Sequence, residues 1–134
     1  MSPLRCILVT PESTLRDDEA EFVALPLYDG EIGIARDHTP LIGRLGFGEL
    51  RIRHQGQVER YYIEGGFVEV VDNVISVLTP RAIPAVKLDS AAAGEQLVSA
   101  RQRPAHSPEL MEIRDRAVTI ARAQLQVSQR AATN

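Results

Sequence analysis

A chain of 134 residues, 44 % hydrophobic and 25 % charged, makes one compact domain, or one domain with a small appendage. A net charge of −3 argues against broad, sequence-independent nucleic-acid binding, which requires a concentrated positive surface. No apolar run approaches the roughly 18 residues of a membrane span, so direct membrane insertion is not expected.

The first strand-like segment is Arg5-Cys6-Ile7-Leu8-Val9-Thr10, closed by Pro11. Its cysteine is the chain's only one, which excludes an internal disulfide. An alternating apolar setting reads as a buried structural thiol in a reducing, intracellular compartment. The acidic stretch Asp17-Asp18-Glu19 reads as a solvated turn, because no partner ligands follow at metal-binding spacing. Glu21–Leu27 reads as a strand. It leads into Gly30-Glu31-Ile32-Gly33-Ile34-Ala35-Arg36-Asp37-His38-Thr39-Pro40-Leu41, a loop rich in special backbone residues and so suited to holding one surface shape.

Leu50-Arg51-Ile52-Arg53 alternates apolar with charged, the mark of a strand with one buried face. Gln55-Gly56 turns the chain into Val58–Ile63. A second hairpin joins Phe67–Val71 to Val74–Leu78 through Asp72-Asn73, two residues that tolerate positive φ. Short strands with frequent turns predict an antiparallel β-sandwich or flattened barrel. Pro80 and Pro84 are expected to lead the chain out of the sheet.

Beyond Lys87 the composition shifts. Residues 1–87 hold all six aromatic residues and eight of the nine glycines, whereas residues 88–134 hold ten of the fifteen alanines. Asp89 or Ser90 caps a predicted helix that ends near Arg103, before Pro104. Ser107 and Pro108 open a second helix to about Arg130, with Glu109 at its positive end. Its apolar arc takes in Leu110, Ile113, Ala117, Val118, Ile120, Ala121, Leu125 and Val127. Arg116, Arg122 and Arg130 fall on the polar half, and Arg114 within the arc, either snorkelling at its edge or meeting a partner. The expected fold is thus α+β: a sandwich over 1–87 followed by a two-helix hairpin over 88–134. So small a hairpin, alanine-rich and interrupted by Gly94, is expected to dock weakly and to be mobile.

The chemistry of an enzyme is missing. His38, His54 and His106 share no metal-ligand spacing, and there is no nucleophile elbow or phosphate loop. Glu31 and His38 are the only residues of the loop that resemble an acid–base pair, without a nucleophile or oxyanion hole beside them.

The ordered pattern G-E-x-G-I-x-x-x-H-x-P-L from Gly30 to Leu41, then Gly48–Ile52, Gly65-Gly66 and Val77-Leu78-Thr79, resembles the epsilon subunit of F-type ATP synthases. With the helical hairpin, the resemblance spans essentially the whole chain. It implies a non-catalytic rotor subunit whose sandwich contacts the gamma subunit and the c-ring, and whose helices reach the catalytic alpha and beta subunits and inhibit ATP hydrolysis. On this reading Glu31, Gly33, Arg36, His38, Pro40 and Leu41 form the surface toward c-ring and gamma. Arg114, Arg116, Arg122 and Arg130 are the tail contacts.

The resemblance also implies a peripheral location at the cytoplasmic face of a bacterial plasma membrane, with the thylakoid membrane as the less favoured alternative, while the lack of a transit-like, acidic-poor leader speaks against an imported mitochondrial precursor. Some relatives bind ATP through [I/L]-D-x-x-R-A, and this chain departs from that motif. Leu88 and Asp89 are followed by Ala92 where the arginine belongs, and then by Ala93, so no nucleotide or other cofactor is expected. Two other readings stand beside this one. They are a free-standing β-sandwich binding module that dimerises through its helices, and a small hydrolase using Glu31 and His38.

Overall fold

The computed structural model describes residues 2–133, with side chains through residue 131. The described residues fall into two compact units that divide between Pro84 and Ala85.

The first unit is a sandwich of two five-stranded sheets, with its core between them. One sheet runs β2 (Thr14–Ala20), β1 (Leu4–Val9), β9 (Val74–Leu78), β8 (Phe67–Val71), β5 (Leu41–Arg44). The other runs β10 (Ala82–Pro84), β7 (Gln57–Glu64), β6 (Phe47–His54), β3 (Phe22–Leu27), β4 (Gly30–Ala35). All pairings are antiparallel except β1 with β9, where the first strand joins the last long hairpin side by side. Alternation decides which side chains enter the core. Leu4, Cys6, Leu8, Val68, Val70, Ile75 and Val77 point in from the first sheet. Val23, Leu25, Ile34, Leu50, Ile52, Tyr61 and Ile63 meet them from the second.

Both anticipated hairpins form with two-residue turns in the left-handed region. Gln55 and Gly56 have φ of 53° and 77°, and Asp72 and Asn73 have φ of 50° and 65°. Gly66, at φ 103°, sits where an added Cβ would run into the Leu78 carbonyl oxygen and lie 2.8 Å from the Thr79 Cα. Gly66 is therefore a backbone crossing with no room for a side chain, whereas Gly65 has space for a Cβ and is set apart by its φ of 70°.

Three local expectations are corrected. Asp17–Glu19 is not a turn but the middle of β2, an edge strand whose charges face solvent and discourage further pairing. Gly30–Ala35 is not loop but strand β4, paired residue for residue with β3, so the true loop is only Arg36–Pro40. After Pro80 the chain adds one more short strand, β10, with Pro84 on a sheet edge where its missing N–H is tolerated.

The second unit opens with a 3-10 turn (Ala85–Lys87), followed by α1 (Ser90–Arg101) and α2 (Pro108–Thr133). Asp89 is the cap of α1, its Oδ1 accepting from the amides of Ala91 (2.9 Å) and Ala92 (3.3 Å). Ser107 caps α2 by accepting from the Leu110 amide at 3.2 Å. Helix α1 buries only Ala93, Leu97 and Ala100. The buried stripe of α2 is more polar than its sequence period suggests. Ala121, Ala123, Gln124, Val127 and Ser128 are buried, while Ile113 is 53 % exposed.

Candidate functional site

The residues anticipated as one recognition loop are distributed over two ends of β4. Glu31 stands near the start of the strand and His38 beyond its end, with about 16 Å of extended chain from Glu31 to Arg36 alone. They do not form an acid–base pair.

Glu31 lies on the outer face of its sheet, within an ion-pair ladder whose residues stand on β4, β6 and β7 and which reaches across β3. Arg51 on β6 donates from Nη2 to Glu31 Oε1 at 2.8 Å and from Nη1 to Glu31 Oε2 at 3.1 Å. The same Nη1 lies 3.0 Å from Glu49 Oε1, which also accepts from Arg60 Nη1 on β7 at 3.0 Å. Glu49 is buried, and two arginines on one carboxylate oxygen offset the cost of a charge there. The hydrogen bond with Glu31 is the largest reason the Arg51 guanidinium is held above its usual pKa, burial working against it. Glu31 therefore presents a carboxylate already gripped from behind and half-exposed in front.

Gly33 faces the same way. A Cβ there would come within 2.6 Å of Phe22 Cζ, so the approach this glycine permits is by the chain's own phenylalanine ring. That ring in turn lies under the Arg53 guanidinium, 5.3 Å from its centroid.

The other end is a corner at Arg36–Pro40, where the chain passes from the second sheet to the first. Asp37 adopts φ 64°. Arg36 Nε stands 3.9 Å from Asp37 Oδ2. His38 Nδ1 is 2.7 Å from the Thr39 carbonyl oxygen, which accepts and so places the ring proton on Nδ1. Pro40 delivers the chain to Leu41, the half-buried first residue of edge strand β5.

Next to Leu41 begins a surface that the sequence reading did not single out, the outer face of the first sheet. Strand register sets Val9 beside Leu78, Leu78 beside Phe67, and Phe67 beside Arg44. In the adjacent row Ile42 pairs with Glu69. Ile42 is 78 % exposed, Phe67 60 % and Leu78 51 %. With Pro11 and Pro80, the Val9–Leu78–Phe67 row walls a shallow groove of about 370 Å³. Apolar residues at both parities of Phe67–Val71 are the signal: such a strand is covered on two faces, or waits to be.

The sandwich matches the family model described as "ATP synthase, Delta/Epsilon chain, beta-sandwich domain" over residues 3–85. The chain belongs to the ATP synthase epsilon-chain family.

Two relatives match over more than nine-tenths of the chain. The ATP synthase epsilon chain of Rhodopirellula baltica is 50 % identical over 125 residues, covering 93 % of this chain and 98 % of its own. That of Symbiobacterium thermophilum is 35 % identical over 133 residues, covering 98 % and 89 %. In shape, the chain superimposes on a subunit of the Euglena gracilis mitochondrial ATP synthase with a TM-score of 0.85 at 20 % identity. That match covers all of this chain and 83 % of the other. A chain of the Tetrahymena thermophila central stalk and c-ring gives 0.75 at 13 %, covering 95 % and 97 %.

The tail residues of this epsilon-family chain lie as follows. Arg114 is half-buried and pairs with its neighbour Asp115 through Nη2 at 3.1 Å, while Arg116, Arg122 and Arg130 are on the exposed side of α2. At the degenerate nucleotide motif, the Asp89 carboxylate is committed to the helix cap, and Ala92 follows within the first turn of α1. No helix among the described residues is long and apolar enough to cross a membrane, and no cluster of three or more potential metal ligands occurs among them.

Proposed function

We propose that this chain is the non-catalytic central-stalk subunit of an F-type ATP synthase, seated peripherally at the cytoplasmic face of a bacterial plasma membrane. It couples rotation in the catalytic head to the c-ring. The observation that carries this reading is the exposed apolar pair Leu78 and Phe67, flanked by half-buried Val9 and with exposed Ile42 in the adjacent row, on the sandwich of an epsilon-family chain. Fully burying an aliphatic or aromatic side chain contributes about 1.5–3 kcal/mol. A partner that covers these four gains part of that from each, which offsets some of the cost of association.

The partner proposed for this face is the gamma subunit, with the Arg36–Pro40 corner at its rim. The c-ring is assigned to the Glu31 end, where a carboxylate backed by Arg51 meets basic or hydrogen-bonding loop residues without any rearrangement of its own. The helical unit is the brake on ATP hydrolysis, acting on the alpha and beta subunits. Its support is physical: α1 buries two alanines and one leucine, so little apolar area opposes a rearrangement of the hairpin. The arginines of α2 then meet acidic surface in the head.

The test is ATP hydrolysis by a catalytic head lacking its epsilon subunit, with added full-length chain or a version ending at Lys87. Binding by both, with inhibition by the full-length chain only, is the expected result. Binding by both without inhibition removes the brake from the proposal. Failure of both to bind overturns the central-stalk reading, and a symmetric dimer in its place would favour the free-standing module.

A further inference from the structure

Asn73 belongs to the β8–β9 turn, but its side chain does nothing for that turn. Its Oδ1 accepts the backbone N–H of Asp37, 36 residues away, at 2.6 Å. Its Nδ2 donates back to Asp37 Oδ1 at 3.1 Å and to the Ser2 carbonyl oxygen at 3.4 Å. Its own carbonyl oxygen accepts from the Arg5 amide at 2.8 Å. One residue thus ties together the N-terminal strand, the second hairpin and the corner that crosses between sheets.

The turn itself asks only for positive φ at this position, which glycine supplies at no steric cost. What glycine cannot supply is the amide that reads Asp37 in both directions. Asp37 holds φ 64°, which an aspartate tolerates without requiring it, so the clasp selects this conformation of the corner from others open to the segment. Its amide falls between β4 and β5, outside both ladders. The clasp lies at the surface and adds no apolar burial, so core packing does not explain it.

We propose that Asn73 is a positioning residue for partner recognition: it pre-sets the Arg36–Pro40 corner so that Arg36 and His38 meet the partner already ordered. This rests on the reading of that corner as partner surface. Without the clasp, a segment bearing two long polar side chains must be ordered at the moment of binding, and affinity falls accordingly.

The experiment uses the full-length chain and a catalytic head that contains gamma but lacks epsilon. Affinity, thermal melting and hydrogen exchange at the Asp37 amide are measured together. Asn73→Gly keeps the turn and removes the clasp. Asn73→Asp faces one carboxylate with another. The double variant Asp37→Asn with Asn73→Asp rebuilds the pair between residues 37 and 73 with donor and acceptor exchanged, leaving only the long Ser2 contact unrestored.

Expected are a roughly tenfold or greater loss of affinity in each Asn73 single variant and recovery to within about threefold in the double variant. Melting should stay within about 4 °C throughout, and Asp37 exchange should be slow in the wild type but fast in Asn73→Gly. Single variants that bind like wild type overturn the positioning role, as does a double variant that fails to recover. If the wild-type chain does not bind at all while its Asp37 amide is protected, the clasp is real. It is then the reading of the corner as partner surface that fails, and the positioning role fails with it.

Discussion

Arg51 holds Glu31 with both terminal nitrogens of its guanidinium, at 2.8 and 3.1 Å, while one of those nitrogens also reaches the buried Glu49. The two carboxylates depend on Arg51 unequally. Glu31 is half-exposed and solvent replaces what it loses, so Glu31→Gln should change stability by less than about 1 kcal/mol. Arg51→Ala leaves buried Glu49 short of one of its two arginines and should cost about 1–3 kcal/mol. Lysine should recover little of this, because a point charge does not reproduce the planar fork. Urea unfolding of the three variants checks the order, and equal losses at residues 31 and 51 would contradict it.

The outer face of the first sheet carries the central-stalk reading, so it should be sensitive to charge without being needed for folding. Phe67 is 60 % exposed, and Phe67→Glu should leave the melting temperature within about 4 °C of wild type. The same change should weaken binding to a gamma-containing head by at least about a hundredfold, since a central apolar contact is replaced by a desolvated charge. Pull-down and calorimetry read this directly. Unchanged affinity would move the partner surface elsewhere.

Two glycines should respond to alanine in opposite ways. At Gly66, an added Cβ meets the Leu78 carbonyl oxygen and the Thr79 Cα, both backbone, at φ 103°. Gly66→Ala should therefore cost more than about 2 kcal/mol or abolish folding. Gly94, inside α1, has nothing within 4 Å of the added carbon. Gly94→Ala should stabilise the helix by up to about 1 kcal/mol. Circular-dichroism melts of both proteins decide it.

Burial raises the Cys6 thiol from its ordinary 9.0 to about 12, against a smaller lowering by Arg16. The folded state thus keeps its proton where the unfolded chain releases it. Full stability holds below pH 9 and is lost at about 1.4 kcal/mol per pH unit as pH rises from 9 toward 12. Tyr61, raised by burial and then by Glu59, adds to the slope above its ordinary value of 10.0. Cys6→Val should flatten stability between pH 9 and 10. The native wild-type thiol should resist a disulfide reagent at pH 8 and react at once in denaturant.

What could be read from the chain alone was whatever repeats locally. Alternation at Leu50–Arg53, Asp-Asn and Gln-Gly turns, helix caps at Asp89 and Ser107, and the shift to alanine after Lys87 each depend on neighbours a few residues away. A sandwich followed by two helices, and membership of the epsilon family, were therefore legible. Edge strands were not. In β2, Arg16–Glu19 is charged because an edge has a solvent side, and that removes the alternation by which strands are recognised. In β4, Gly30 and Gly33 resemble loop residues, although Gly33 is glycine because the Phe22 ring occupies its side-chain space across the ladder.

The candidate site divides along the same line. Residue types at 31, 36, 38 and 40 are visible in sequence. That Glu31 and His38 stand at opposite ends of one strand follows from the pairing of β4, and that Arg51 backs the first and Asn73 holds the corner before the second are contacts across 20 and 36 positions. Local chemistry determines which elements form and where they turn. Only strand register and sheet packing, which bring distant residues within hydrogen-bond reach, decide which polar groups share a surface.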